Sequence, residues 1–159
     1  MNTYFHAAPI PLQPGATILP GNWGRILNLY RRPGYGDGWL LAREMTFEAI
    51  RASEFPDLPS RLSSAFVFEN LQDALHHINN TTPSSLLYRV ELVEPSAASH
   101  RGCMNQVSFP PEEIEALPAF VEKARAFWSA KVIEVPEILT KSALRVIEVV
   151  NGPAGGYKP

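Results

Sequence analysis

The residues best suited to chemistry lie near the start of the chain. His6 ends a short aromatic run, and Trp23 and Arg25 flank Gly24 in a turn bounded by proline and glycine. Histidine titrates near neutral pH, an indole can stack on a base, and a guanidinium can bind a phosphate through two parallel donors. This set of side chains could therefore hold a ribose and a phosphate at the same time.

Each of these residues also has an ordinary structural interpretation. His6 could bond a loop carbonyl, Trp23 could close the edge of the core, and Arg25 could cap the C-terminus of a helix. The residues alone leave both interpretations open for all three positions.

Charged residues further along the chain form two more candidate groups. Glu44, Glu48 and Arg51 share one stripe of a predicted helix, and paired carboxylates can perform acid–base work. Such a stripe is more often a solvated face with an i,i+3 Glu–Arg pair, and we favour that interpretation. Arg61 lies among the hydroxyls of residues 59–64, where it could bind an anion or belong to a hydrogen-bonded strand entry.

Metal-dependent and serine-hydrolase chemistry are disfavoured. His76 and His77 are adjacent, so on a helix they point about 100° apart and do not readily share a metal. With His100 and Cys103 they form no recognisable ligand spacing, and we expect no metal. The serines of residues 59–64 lack the glycines of a nucleophile elbow.

The composition fits one folded domain with a core. The chain has 159 residues, of which 45% are hydrophobic, a net charge of -2 and a single cysteine. No basic excess indicates general nucleic-acid binding, and no disulfide can form within the chain. The first residues lack the regions of a secretory signal, and the apolar runs are too short to span a bilayer. We therefore expect a cytoplasmic protein with no membrane contact.

The helices and strands that must position these residues follow from hydrophobic periodicity and from the residues that break it, chiefly glycine and proline. Strands are predicted at residues 3–6, 16–19, 63–68, 86–93, 132–135 and 143–150. Helices are predicted over residues 41–52, after the cap Asn70, and from Pro110 to Trp128. Residues 32–38 and 99–102 are predicted loops. The mixed order predicts one α+β domain over residues 1–151, followed by a flexible tail over 152–159.

Three segments in this order carry a resemblance to a known family. They are Tyr4–His6 before a Pro-Gly turn, Ser64–Phe68 running into a helix, and Leu87–Pro95, with a closing strand at 143–147. Together they resemble the small bacterial ADP-ribosyltransferases, particularly the rifampicin-modifying type. The chain also resembles an uncharacterised bacterial family through three further motifs. These are Gly-Asn-Trp-Gly-Arg at 21–25, Arg-Glu at 43–44 and Pro-Ser-Arg at 59–61.

The resemblance to the transferases implies a fold, an activity and a substrate. The fold would be a split β-sandwich of short strands flanked by helices. The activity would be NAD-dependent mono-ADP-ribosyl transfer, in which the bond between nicotinamide and ribose is cleaved. NAD would be the substrate, and the acceptor would be an unknown protein, nucleic acid or small molecule.

The resemblance also assigns roles to individual residues. His6 would hold the adenosine ribose, and Phe66 would replace the tyrosine that usually stacks on nicotinamide. The third catalytic position, an acid, should fall near residues 99–103, where the chain has none. Glu44 or Glu48 would supply the carboxylate instead. The pyrophosphate or the acceptor would be lined by Trp23, Arg25, Arg61 and Ser63.

Two alternatives to an enzyme remain open. A catalytically degenerate relative would keep the fold as a nucleotide- or protein-binding module. An interaction protein would use the glycine-rich loop around Tyr35 and Trp39 as an adhesive surface. The sequence does not distinguish the oligomeric states, nor defence, toxin, phage and housekeeping roles.

Overall fold

The computed structural model describes residues 3–29, 37–107 and 116–151. Most of the predicted glycine-rich loop, including Tyr35, lies outside these ranges. The predicted helix start at Pro110 and the predicted tail at residues 152–159 lie outside them as well.

Within the described residues, helices and two antiparallel sheets confirm the predicted α+β class. The helices are α1 (Asn22–Leu29), α2 (Gly38–Glu54), α3 (Leu71–Thr81) and α4 (Ala116–Ser129). The strands are β1 (Thr3–Ala8), β2 (Thr17–Ile18), β3 (Ala65–Val67), β4 (Leu86–Leu92), β5 (Ser99–Cys103), β6 (Pro136–Thr140) and β7 (Leu144–Asn151). A 3₁₀ turn, Arg61–Ser63, leads into β3.

The two sheets meet where β1 passes the end of β3. One sheet has the strand order β1-β4-β7-β2, and the other has the order β3-β6-β5. Phe5 and Phe68 exchange both of their backbone hydrogen bonds across this junction, each at 2.9 Å. The bridge brings His6, on the first strand, beside β3, an edge strand of the three-stranded sheet.

Three buried clusters form the core, because each sheet must cover its apolar faces. The cluster between the two sheets comprises Ala8, Ala65, Val67, Tyr88, Val90, Leu144 and Val146. The cluster of α2, α4 and the three-stranded sheet comprises Phe47, Val107, Ala124, Phe127, Trp128 and Leu139. The cluster beside α3 comprises Phe68, Ala74, Ile78, Leu87 and Met104.

Side-chain caps set where two of the helices begin. The Oδ1 atom of Asn70 accepts the backbone N–H of Asp73 at 2.9 Å, so the predicted cap of α3 is confirmed. Asp37 caps α2 in the same way, accepting from the N–H of Trp39 at 2.8 Å. Because Asp37 satisfies the first free N–H groups, α2 begins at Gly38, earlier than predicted.

Two predictions for the three-stranded sheet are wrong. Residues 99–102 form part of strand β5 rather than a loop, and residues 132–135 precede strand β6 rather than forming one. Proline is allowed at the first position of a strand, so β6 begins at Pro136. Gly102 suits the middle of β5 because a Cβ there would lie 2.3 Å from the ring of Phe127.

The predicted turn around Gly24 is also wrong, since residues 22–29 form helix α1. The helix contacts the 3₁₀ turn closely, and a Cβ on Gly24 would lie 2.2 Å from the carbonyl oxygen of Leu62. Gly24 therefore serves close packing of α1 rather than a change of chain direction. Gly21, with φ +87°, makes the turn that precedes the helix.

Candidate functional site

His6 is fixed to the three-stranded sheet through its Nδ1 atom. Nδ1 lies 2.7 Å from the carbonyl oxygen of Phe66. A carbonyl oxygen can only accept, so Nδ1 donates and Nε2 keeps the lone pair of a neutral imidazole. Burial lowers the pKa of His6, and the bond to Phe66 offsets only part of that effect. Among the described residues, Nε2 has no hydrogen-bond partner, so it can accept from a ligand.

Phe66 joins the site through its backbone more than through its ring. The ring is partly buried against the cluster that contains Phe127 and Leu139. The guanidinium carbon of Arg61 lies 5.0 Å from the centre of the Phe66 ring, within cation–π range. The predicted stacking of this ring on nicotinamide stays a prediction.

Arg61 is the centre of a buried network of charges. It is 5% exposed and donates to both oxygens of Glu44, at 3.0 and 3.2 Å. Its Nη1 atom donates to Oε2 of Glu137 at 2.7 Å. Burial alone would lower the pKa of Arg61, but the two carboxylates raise it above its ordinary value. The guanidinium is therefore fully charged and already holds two anions.

Glu44 lies inside the protein rather than on a solvated face, so our favoured interpretation is wrong for this residue. It is 1% exposed, and its Oε1 atom also accepts from Nη2 of Arg43 at 2.9 Å. Burial alone would raise the pKa of Glu44, but Arg61 and Arg43 lower it below its ordinary value. The predicted i,i+3 pair is confirmed one turn later, where Arg51 and Glu48 lie 2.8 Å apart, although both side chains are partly buried.

Glu137 is a candidate that the sequence analysis missed. It is 4% exposed and lies directly opposite Gly102 in the β5–β6 register. The neighbouring strand thus brings a carboxylate beside residues 99–103, where the transferase resemblance implies one. Only Oε2 is bonded to Arg61, and Oε1 has no hydrogen-bond partner among the described residues. The sequence signal for Glu137 is an acidic residue inside the apolar run Pro136–Leu139. The predicted strand at residues 132–135 ends before this run, so the signal was not used.

His77 adds a second imidazole on the α3 side of this region. Its ring centre lies 5.2 Å from that of Phe68, which forms the bridge to β1. Its Nδ1 atom is buried and has no hydrogen-bond partner. Burial lowers the pKa of His77, and the charge of Glu137 offsets part of that effect.

The remaining candidate residues lie around α1 and the 3₁₀ turn. Arg25 donates from Nη1 to the carbonyl oxygen of Pro20 at 3.2 Å. Ser63 contacts the ammonium group of Lys141 through its Oγ atom. The indole Nε1 of Trp23 is buried without a partner. The structure thus gathers Arg25 and Ser63 at the entry to β3, and no ring contact joins Trp23 to His6.

The buried histidines make stability depend on pH. Burial lowers the pKa values of His6, His77 and His100 below 6.5, so the unfolded chain binds more protons in mild acid. We expect the free energy of unfolding to have its full value above about pH 7 and to fall as the pH drops towards about 5. Urea denaturation at a series of pH values measures this slope.

A matched pair of variants checks the cause of that slope. His100 bonds the carbonyl oxygen of Phe127 through Nε2 at 3.0 Å, whereas His76 is exposed. His100→Gln should flatten the pH dependence, and His76→Gln should leave it unchanged. Equal slopes in both variants would contradict the assignment to buried histidines.

The described residues contain neither a membrane-spanning helix nor a cluster of metal ligands. None of their helices is long and apolar enough to cross a membrane. No group of three or more His, Cys, Asp and Glu side chains in these ranges is arranged to hold a metal ion.

These features define a small α+β protein with a charged network buried between α2 and its three-stranded sheet. A family model described as a protein of unknown function (DUF2441) matches residues 37–152. The match spans more than half of the chain, so the chain belongs to this family. It includes the charged network and Phe66, whereas His6 precedes it. A search among curated proteins finds no match.

Proposed function

We propose that the protein binds NAD at the junction of its two sheets and acts as a mono-ADP-ribosyltransferase. The observation that carries the proposal is the bond between His6 Nδ1 and the carbonyl oxygen of Phe66 at 2.7 Å. It holds a neutral imidazole in one orientation and leaves Nε2 to accept from a ribose hydroxyl. We place the reaction in the cytoplasm, with a protein, nucleic acid or small molecule as acceptor.

In this proposal Glu137 supplies the carboxylate of the reaction. NAD is held bent, and the bond between the anomeric carbon and the nicotinamide nitrogen breaks. The electron pair of that bond neutralises the positive charge of the pyridinium ring, while the ribose becomes oxocarbenium-like. Oε1 of Glu137 stabilises the developing positive charge. An acceptor group then bonds to the anomeric carbon and releases a proton.

A degenerate relative that binds a nucleotide without cleaving it is the second candidate. The observation that favours it is that Glu44 and Glu137 both form ion pairs with Arg61. A carboxylate that is already paired stabilises a second positive charge less effectively. Such a protein would retain the role of His6 and lose the turnover.

NAD binding and nicotinamide release by the purified protein test the proposal. Under the proposal, wild type binds NAD and releases nicotinamide, and His6→Ala loses both because the ribose hydroxyl loses its acceptor. His76→Ala is the matched control, because this histidine is exposed on α3, and it should behave as wild type.

The same experiment separates the two candidates. Binding without release, with binding lost in His6→Ala, would favour the degenerate module. No binding at millimolar NAD would exclude both the transferase and an NAD-binding relative.

A further inference from the structure

The arginines of the described residues differ in whether a carboxylate neutralises them. The arginines that form an ion pair with Asp or Glu are Arg43, Arg51, Arg61, Arg89, Arg101, Arg125 and Arg145. Arg25 is the exception in these ranges, since its hydrogen bond goes to the carbonyl oxygen of Pro20. The side chain is exposed, and no carboxylate of the described residues pairs with it.

A tight turn holds the guanidinium of Arg25 beside Ser63. A Cβ placed on Gly21 would lie 3.4 Å from Nη1 of Arg25 and 3.5 Å from Cα of Ser63. These two atoms therefore lie on either side of the same small gap beside Gly21. The turn is tied to the strand entry, because the N–H of Gly21 donates to the carbonyl oxygen of Ser64 at 3.0 Å. The turn therefore places the guanidinium and Ser63 at the entry to β3.

Lys141 brings a second cation to the same serine. Its ammonium group donates to the carbonyl oxygen of Ser63 at 3.3 Å and to the Oγ atom. Because Oγ accepts from Lys141, the hydroxyl proton of Ser63 remains available to donate to an anion. Lys141 is exposed and has no carboxylate partner among the described residues.

We propose that Arg25, Ser63 and Lys141 form a subsite for a phosphate group. A guanidinium offers parallel donors, an ammonium offers a point charge and the hydroxyl offers a third donor, a combination that suits phosphate oxygens. Ser63 lies three residues before Phe66, whose carbonyl oxygen holds His6. Assignment of this phosphate to the pyrophosphate of NAD rests on the proposed function, whereas the phosphate site itself does not.

Calorimetric titration at low salt with inorganic pyrophosphate and with NAD tests the subsite. The double variant Arg25→Gln/Lys141→Gln should bind pyrophosphate at least about tenfold more weakly than wild type. The charge-matched control Arg125→Gln/Lys131→Gln removes two exposed cations elsewhere and should bind as wild type. Circular dichroism of both double variants confirms that their fold is retained.

The outcomes separate this inference from the proposed function. If pyrophosphate and NAD both bind more weakly only to the Arg25/Lys141 variant, the subsite and its assignment to NAD are supported. If pyrophosphate binds this variant more weakly and NAD does not, the site serves free phosphate and the assignment to NAD is overturned. If wild type fails to bind pyrophosphate, or if the two double variants bind it equally, the subsite is overturned, whatever NAD does.

Discussion

Replacement of Arg61 by methionine should lower the free energy of unfolding by about 3–5 kcal/mol. The guanidinium is 5% exposed and is the ion-pair partner that Glu44 and Glu137 share. Methionine leaves two buried carboxylates without this partner, and an uncompensated buried charge costs several kcal/mol. Contacts of the cation with the rings of Phe66 and Phe127, each at 5.0 Å, are lost as well.

Arg89→Met is the matched control for this change. Arg89 also pairs with a glutamate, Glu148, at 2.7 Å, but the two side chains are 43% and 51% exposed. Exposed ion pairs contribute about 0–1 kcal/mol, so this variant should unfold close to wild type. Urea denaturation of the three proteins measures both effects. Similar losses in the two variants would contradict a special role for the buried network.

The elements that follow from local signals were predictable from the sequence. Asn70 caps α3 where the sequence placed the cap, and the alternation after Leu86 gave the central strand β4. Caps and alternation act over a few residues, so they can be recognised without knowledge of the remaining fold. The α+β class followed from the order of these elements.

Features that depend on contacts between distant segments were not predictable. The stripe of Glu44 and Glu48 indicates a helix with charges on one side, but it does not reveal that Glu44 faces Arg61, 17 positions along the chain. Likewise, a serine- and glycine-containing segment is typical of a loop, and only pairing with β6 makes residues 99–103 a strand.

In the candidate site, too, individual residues were predictable from local signals, but their contacts across distant segments were not. His6 and Phe66 are candidates from separate segments of the sequence, and the structure joins them through one hydrogen bond. Glu137 escaped notice because its relation to residues 99–103 arises from strand register rather than from sequence proximity.

Under the proposed function, Glu137→Gln should reduce nicotinamide release by about 10²–10³-fold while leaving the Kd for NAD within a few-fold of wild type. The amide oxygen of glutamine can still accept from Nη1 of Arg61, which now lies 2.7 Å from the carboxylate. The change thus removes a negative charge but keeps the shape and the hydrogen bond. Loss confined to turnover is expected when a group acts mainly in the transition state.

Glu134→Gln provides the control, because Glu134 is exposed and only three residues away on the same segment. It should release nicotinamide as wild type does. An unchanged rate in Glu137→Gln would exclude Glu137 from the reaction, even if His6→Ala abolishes binding. A weaker Kd with an unchanged rate would instead make Glu137 a binding group. Loss of turnover alone would support a role for the buried network in the proposed reaction, because Arg61 connects Glu137 to the ring of Phe66.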